Sequence, residues 1–238
     1  MLAVVAGASI LAAAGLASYG AVSPSSQLFG RTFVAAGAAS RQLALTFDDG
    51  PNDPHTLRLL EVLAKHEVKA TFFMIGRFVR ERPQIARAVA QAGHVIGNHT
   101  DTHPNLFFAS GSQLAQELDD CEKALTDTVG EHSKLFRPPF GLRRPGTLRA
   151  AAGRGLTTVM WNVTGYDWKL TTAEAIEKRV APQMRGGDVI LLHDGGHRRM
   201  GTDRAPTVAA TERLIARYSA EGYSFVTVPE MMAISNKQ

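Results

Sequence analysis

Short apolar runs alternate with longer stretches of helical spacing along most of the chain after Arg41. Runs of branched and aromatic residues indicate buried strands, and apolar residues three and four apart indicate one face of a helix. Alternation of these two patterns predicts parallel strands joined by helices. The pattern predicts strands at residues 43–47, 68–75, 93–97, 135–136, 157–163, 189–192 and 223–228, and helices at 54–65, 83–91, 113–129, 145–152, 173–180 and 207–220.

The number of these units indicates the fold class. About seven strand–helix units without an internal repeat predict one α/β domain that forms a closed or nearly closed barrel. A doubly wound open sheet is the alternative, and in both folds the functional groups gather at the carboxyl ends of the strands. The longest helix is predicted to begin after Ser112, whose hydroxyl would cap it.

The first thirty residues differ from the rest of the chain. They are rich in Ala and Gly, and no charged side chain precedes Arg31. This composition favours a signal peptide or an N-terminal membrane anchor at residues 1–30, and a helix packed on the domain is the alternative. A linker is predicted at 31–40, followed by a single catalytic domain at 41–238. We therefore expect an exported protein whose only membrane contact is through residues 1–30.

Composition narrows the class of partner. The chain has 238 residues, of which 45% are hydrophobic and 20% charged, with a formal net charge of +4. This balance is typical of a globular protein, and its mild positive charge is not the dense basic stripe of a nucleic-acid-binding protein. We therefore expect a monomer without a nucleic-acid partner. The two tight basic clusters, typical of solvated loops or of contact with an anionic polymer, are Arg143-Arg144 and His197-Arg198-Arg199.

Polar side chains follow five of the predicted strands at the point where each strand ends. Asp48 and Asp49 end the first strand, and Gly50-Pro51 stops it. Neighbouring side chains on a strand point to opposite sides, so one carboxylate can hold a metal while the other handles a proton. Two buried like charges require a compensating cation or donor. The other strand ends carry His99 and His103, Arg137, Asp167-Trp168 and His193-Asp194.

His99 and His103 have the spacing of a metal-binding pair. Histidines four residues apart can face one ion, although Pro104 disfavours a helix at His103 and predicts a structured loop. With one carboxylate, the set becomes two imidazoles and one Asp, which leaves open positions for water and substrate. Zinc suits these ligands, and cobalt or nickel would also fit.

Five short segments carry a family resemblance. They are Thr46-Phe47-Asp48-Asp49-Gly50-Pro51, His99-Thr100-Asp101-Thr102-His103, Arg137-Pro138-Pro139-Phe140, Asp167-Trp168 and Leu191-Leu192-His193-Asp194. In this order they resemble the five motifs of the polysaccharide deacetylases, which are carbohydrate esterase family 4, the NodB-homology domain. The resemblance covers roughly residues 41–232, and it implies a distorted (β/α)7-8 barrel.

The resemblance also implies roles for the first three motifs. Asp49, His99 and His103 would hold one divalent metal ion. Asp48 would be the general base, and Arg137 would position its carboxylate. The spacing of the two aspartates by itself permits the opposite assignment, so the division of roles rests on the resemblance.

The remaining motifs imply an acid and a substrate slot. His193 would be the general acid, and Asp167 would tune it. Trp168 and Leu191 would form the wall of a slot for the acetyl methyl group, and the backbone N–H of Phe140 would bind the oxyanion. Phe140 stands where the family more often has Tyr, which affects substrate contact more than catalysis because only the backbone is needed.

These roles predict a function and leave two alternatives. The predicted enzyme removes N-acetyl groups from N-acetylglucosamine units of a glycan such as peptidoglycan or a chitin-like oligomer. An acetylxylan O-acetyl esterase with the same site and a non-catalytic sugar-binding barrel are the alternatives. Cys121 is predicted to be buried. The histidines that match no catalytic position, interpreted as structural or surface residues, are His55, His66, His94, His132 and His197.

Overall fold

The fold is built on parallel strands that the sequence pattern predicts. The computed structural model describes residues 15–169 and 171–235. Within these residues the strands are β1 (Gln42–Gly50), β2 (Thr71–Met74), β3 (Val95–Asn98), β4 (Leu135–Phe136), β5 (Thr157–Thr158), β6 (Val163–Thr164), β7 (Asp188–His193) and β8 (Ser224–Phe225).

All strand pairs are parallel, and the order across the sheet is β5-β4-β3-β2-β1-β7-β6. The short strand β8 pairs with the beginning of β1. The sheet curves into a half-barrel with β5 and β6 at its two edges. The predicted fold class, a distorted (β/α) barrel in a single domain, is therefore confirmed.

Helices connect successive strands and cover the sheet. A 3-10 turn also spans Pro139–Gly141 after β4, and another spans Ala181–Gln183. From residue 42 onward, the α-helices are α1 (His55–Lys65), α2 (Gly76–Glu81), α3 (Pro83–Gln91), α4 (Gly111–Val129), α5 (Pro145–Ala152), α6 (Ala173–Val180), α7 (Ala205–Ala220) and α8 (Val228–Ser235).

Strand β1 is buried on both faces, and its alternation orients the site. Leu43, Leu45 and Phe47 belong to the larger apolar cluster, together with side chains from the helices. Ala44 belongs to a second cluster with side chains from β2, β7 and α8. Since side chains alternate along a strand, Asp48 shares the face of Ala44 and emerges at its carboxyl end.

Two local predictions differ from the structure, and two helices were not predicted. The strand predicted at 157–163 is two short strands, β5 and β6, which lie at opposite edges of the sheet. Helix α4 begins at Gly111 because Ser110, not Ser112, accepts a hydrogen bond from the Gln113 N–H. Helices α2 and α8 were not predicted. Helix α2 has only 6 residues, and α8 is short and largely apolar, so neither shows the amphipathic period by which a helix is recognised.

The predicted linker is held against the domain. Phe33 forms a parallel bridge with Val159, and Ala35 forms an antiparallel bridge with Asp188. Residues 15–22 are helical, and residues 1–14 of the predicted signal peptide or anchor lie outside the described part of the chain. No helix among the described residues is long and apolar enough to cross a membrane. The two bridges therefore hold the segment 31–40 against the rest of the fold.

Candidate active site

A cleft of about 600 Å³ opens at the carboxyl ends of the strands. Its walls come from the loops that follow β1, β3, β4, β6 and β7, as expected for a parallel α/β fold. Arg137 and Asp167 lie behind the wall and are buried. The predicted site residues that line the cleft are Asp48, Asp49, His99, His103, Phe140, Trp168, Leu191 and His193.

The Asp48 carboxylate is bound by the buried guanidinium group of Arg137. The Arg137 guanidinium donates from Nη1 to Asp48 Oδ1 at 2.7 Å and to the Thr46 hydroxyl at 2.8 Å. Its remaining N–H groups donate to the carbonyl oxygens of Val159 (3.3 Å) and Met160 (3.1 Å). Burial lowers the pKa of Arg137, and the Asp48 charge opposes that shift. These bonds fix the orientation of the Asp48 carboxylate.

Asp49 is an extra residue in the ladder between β1 and β2. Asp48 pairs with Phe73 and Gly50 with Met74, so Asp49 forms a bulge, and its φ is 73°. The bulge turns the Asp49 side chain into the same cleft as Asp48. The expectation that the two carboxylates point to opposite sides is therefore wrong, and different neighbours distinguish them instead.

Two histidines face Asp49. Its Oδ1 lies 3.5 Å from His99 Nε2 and 3.2 Å from His103 Nε2. His99 Nδ1 lies 2.8 Å from the Arg137 carbonyl oxygen, which can only accept, so Nδ1 carries the proton and Nε2 presents a lone pair. Residues 99–103 form a loop, in which Thr100 and His103 have positive φ. This geometry agrees with the structured loop predicted from Pro104.

The donors of Asp49, His99 and His103 fit a divalent metal ion. One ligand atom from each lies within 4.8 Å of the other two. Asp49 Oδ1 is buried and has no hydrogen-bond partner among the described residues. Burial opposes ionisation of Asp49, but the nearby His99 and His103 imidazoles hold the carboxyl pKa well below its usual range. Burial also lowers the pKa of His103 to about 3, so its imidazole is neutral, as a ligand must be.

The His193 imidazole is paired with the buried carboxylate of Asp167. In the parallel pairing of β1 and β7, His193 lies beside Asp48. Its Nδ1 is 2.8 Å from Asp167 Oδ1, and the Asp167 Oδ2 accepts from the His193 backbone N–H and the Thr207 hydroxyl. Burial favours the neutral imidazole, but Asp167 and the Asp49 charge outweigh it and raise the pKa of His193 to about 9. The imidazole is therefore protonated at neutral pH.

The turn after β4 presents an unpaired amide. Phe140 has a φ of 59°, and among the described residues its backbone N–H donates to no backbone or side-chain acceptor. Gly141 follows with a φ of 67°, so two successive residues adopt the left-handed region. Across the cleft, the Trp168 ring lies 5.1 Å from the His193 ring, and Leu191 is buried beside them.

The matched relatives decide the family. A family model described as polysaccharide deacetylase matches residues 36–159, more than half of the chain. A chitooligosaccharide deacetylase of Sinorhizobium fredii is 36% identical over 84% of this chain and 96% of its own. The chain belongs to the polysaccharide deacetylase family. The predicted family and enzyme class are confirmed by these matches.

Other polysaccharide deacetylases share both sequence and fold with the chain. A peptidoglycan-N-acetylglucosamine deacetylase of Bacillus cereus is 36% identical over 83% of this chain and 70% of its own. The crystal structure of a peptidoglycan N-acetylglucosamine deacetylase in complex with 4-naphthalen-1-yl-N-oxidanyl-benzamide matches with a TM-score of 0.78 and 34% identity, covering 84% of this chain and 92% of that one. A protein of Bacillus anthracis described as a pseudoenzyme of the same family has the same TM-score at 26% identity, covering 84% of this chain and 68% of its own. Because a pseudoenzyme shares this fold, the fold by itself does not establish catalysis, and the residues of the site must be considered.

The sequence did not predict that His197 lies in this deacetylase-family cleft. His197, expected to be structural or on the surface, donates its backbone N–H to Asp49 Oδ2 at 3.2 Å. Its ring stacks on His103 with centroids 4.7 Å apart. His197 follows β7 by four residues, which places it near the rim formed by the other strand ends but does not predict its contact with Asp49. Trp161, Thr202 and Arg204, to which the sequence assigned no role, also line the cleft, as do Arg198 and Arg199 of the basic cluster.

The structure agrees with the prediction that Cys121 is buried and with the interpretation of His94 as a structural residue. His94 packs on Phe72 and accepts the Ala70 N–H at 3.2 Å, and burial lowers its pKa to about 4. Cys121 is buried in the core. Neither residue lines the cleft.

Proposed function

We propose that the chain is a metal-dependent hydrolase that removes N-acetyl groups from N-acetylglucosamine units of a polysaccharide or oligosaccharide. Amide hydrolysis requires an activated water, a stabilised oxyanion and a proton for the leaving amine. The observation that carries the proposal is the meeting of groups for each of these tasks in one cleft: Asp49 with His99 and His103, Asp48 with Arg137, and His193 with Asp167.

Asp49, His99 and His103 would hold the metal ion. Zinc suits one carboxylate and two imidazoles, and cobalt or nickel would substitute. When bound, such an ion lowers the pKa of a coordinated water toward about 7 and polarises a carbonyl group. His99 is held as a ligand by its hydrogen bond to the Arg137 carbonyl oxygen.

Asp48 would be the general base. Arg137 occupies its Oδ1, so Oδ2 remains available on the cleft side, 3.7 Å from His99 Nε2. Asp48 Oδ2 would accept the proton of the attacking water. A positioned base of this kind contributes roughly 10²- to 10⁴-fold in rate.

His193 would deliver the proton to the leaving amine. Its Nδ1 is bonded to Asp167, so Nε2 is the nitrogen free to donate. The exposed N–H of Phe140 would donate to the carbonyl oxygen as negative charge develops there. Loss of one such donor typically costs about 3–4 kcal/mol in the barrier. Trp168 and Leu191 would exclude water around the acetyl methyl group.

The substrate and the location are proposed from the relatives and the N-terminal sequence. The matched relatives are named for chitooligosaccharide and for peptidoglycan N-acetylglucosamine. Residues 1–30 are largely apolar and rich in Ala and Gly, a composition that favours export by a signal peptide or an anchor. An exported enzyme would meet peptidoglycan directly, so we propose a cell-envelope glycan as the substrate.

Acetate release tests this function. The full chain, loaded with Zn²⁺, is incubated with peptidoglycan, acetylated chitooligosaccharides and acetylxylan, and acetate and product mass are measured. We expect release from N-acetyl substrates, abolition by EDTA, and recovery with Zn²⁺ or Co²⁺. Release from acetylxylan alone would support an O-acetyl esterase, and saturable glycan binding without acetate would support a non-catalytic barrel. Release by metal-free protein would contradict the metal-dependent reaction.

A further inference from the structure

Arg143 is a buried cation without a carboxylate partner among residues 15–169 and 171–235. It is 1% exposed, and burial lowers its pKa. Removing an arginine from water costs several kcal/mol unless other groups replace its solvation. The groups that replace water here are backbone carbonyl oxygens: those of Ser23 at 2.7 Å, Ser26 at 2.8 Å, Gly141 at 3.2 Å and Pro24 at 3.4 Å.

These carbonyl oxygens belong to two separate segments. Three of them lie in residues 21–26, which we name the N-terminal strap. The fourth, Gly141, belongs to the turn after β4 that carries Phe140. The Arg143 backbone N–H also donates to the Ala21 carbonyl oxygen at 3.2 Å. Ala21 and Ser26 are both buried. Arg143 therefore joins the strap to the turn by side chain and backbone together.

The turn needs such support because its conformation is strained. A non-glycine residue with positive φ costs about 1–3 kcal/mol and persists only where the surrounding structure imposes it. Phe140 is such a residue, with a φ of 59°. On one side, the Trp161 ring packs so closely on Gly141 that a Cβ there would lie 2.6 Å from it. On the other side, Arg143 holds the Gly141 carbonyl oxygen. The turn is fixed between these two contacts.

We propose that Arg143 is a positioning residue that uses the N-terminal strap to hold the Phe140 amide in the direction of the substrate oxygen. This inference rests on the proposed deacetylase function, in which that amide stabilises negative charge. It makes the strap part of the catalytic domain. Processing of the N-terminal segment would therefore end before Ala21, and the mature protein would retain residues 21–26.

The first test replaces Arg143 in the full chain. Arg143→Gln is compared with Arg149→Gln, a matched control on the exposed side of α5. We expect kcat to fall about tenfold or more with KM within about twofold, since a misplacement of about 1 Å can cost 10²-fold in rate. Arg149→Gln should match the native enzyme. If Arg143 were merely structural, its substitution would lower the melting temperature but leave kcat per folded molecule unchanged. That result would overturn the proposal.

A second readout does not depend on activity. The ¹⁵N order parameter of the Phe140 amide should be near 0.85 in the native protein and fall toward about 0.6 in Arg143→Gln. An unchanged value would contradict the positioning role even if the enzyme proved inactive. If instead native protein released no acetate while the order parameter fell as expected, the proposed function would fail and the mechanical role of Arg143 would stand.

The strap can also be displaced by a substitution at Gly20, the residue that precedes it. A Cβ at Gly20 would lie 2.9 Å from the Phe29 ring, so Gly20→Val should push the strap away without touching the cleft. We expect the same loss of kcat and of Phe140 order, and no further loss in the double variant with Arg143→Gln, because both act through one contact. Two results would overturn the proposal. One is full additivity of the losses of kcat in the double variant. The other is an active exported protein whose N-terminus, determined by mass spectrometry, lies after Ser26.

Discussion

The Arg137 guanidinium and the Asp48 carboxylate form a buried ion pair, joined at 2.7 Å, with side-chain exposures of 0% and 5%. Breaking a buried pair by removing one partner leaves an uncompensated charge, which typically costs about 3–5 kcal/mol. The face of the Arg137 guanidinium also lies 4.2 Å from the centre of the Phe73 ring. The pair therefore links the carboxylate that we propose as the general base to the core of the half-barrel.

Arg137→Met should lower the free energy of unfolding by about 3–5 kcal/mol because Asp48 remains buried without its donor. Urea unfolding measures the change. Arg154→Met is the control, since Arg154 pairs with Asp119 on the surface, at side-chain exposures of 27% and 58%. We expect that control to cost about 1 kcal/mol or less. Equal losses in the two variants would show that the Asp48 pair gives no special stability.

Substitution of Asp48 and substitution of Asp49 should have different effects on metal content and turnover. Asp48→Asn keeps the side-chain volume and leaves Asp49, His99 and His103 in place, so we expect metal content to stay near the native value. Turnover should fall by roughly 10²- to 10⁴-fold, because an amide cannot accept the proton. Metal analysis and acetate release on one preparation measure both. Asp127→Asn, in an exposed helical pair with Lys123, should change neither. Loss of metal in Asp48→Asn with turnover retained by Asp49→Asn would reverse the two roles.

His99 should be required for metal binding. We expect about one ion per chain in the native protein and a clear loss in His99→Ala, since one of three protein ligands is removed. Metal content after dialysis, measured by mass spectrometry, gives the answer without any activity assay. His66→Ala is the matched control, because His66 lies outside the cleft and its Nε2 is 3.8 Å from Glu212. Equal metal content in the two variants would contradict the proposed site.

The sequence predicted the site through the positions of residues at strand ends, and it failed where backbone detail decides. Parallel strands bring their carboxyl ends to one rim, so Asp48, His99, Arg137 and His193 could be grouped before any coordinates. The bulge at Asp49 was not predictable, because one residue with positive φ leaves no periodic trace and yet redirects a side chain. Short local patterns determine strands, but they do not determine such single-residue turns.

His197 illustrates the same limit for loops. Its position depends on contacts from distant parts of the chain. Asn52 donates to the carbonyl oxygens of Asp194 and Thr202 and accepts the Gly201 N–H, and Arg77 donates to the His197 carbonyl oxygen. These contacts join residues more than a hundred positions apart in sequence. A loop built in this way cannot be placed from local pattern, so the approach of His197 to Asp49 emerged only from the structure.

The pH dependence of turnover should report the pairing of His193 with Asp167. A general acid must be protonated, so activity should decline as pH rises through the pKa of His193, which Asp167 and the other carboxylates raise to about 9. In Asp167→Asn the main raising charge is lost. We therefore expect the alkaline limb of kcat/KM to move to lower pH, toward the ordinary histidine value of about 6.5. A pH series of acetate release measures the shift.

The same pairing predicts how stability should vary with pH. Because the folded pKa of His193 lies above the unfolded value of about 6.5, its contribution is complete below pH 6.5 and is lost as pH rises through about 9. The native protein should therefore lose this contribution between about pH 6.5 and 9, and Asp167→Asn should lose less over the same interval. Glu177→Gln is the control, since Glu177 pairs with Arg213 outside the cleft and should leave both the rate profile and this interval unchanged. An alkaline limb that stays in place in Asp167→Asn would mean that another group supplies the proton to the leaving amine.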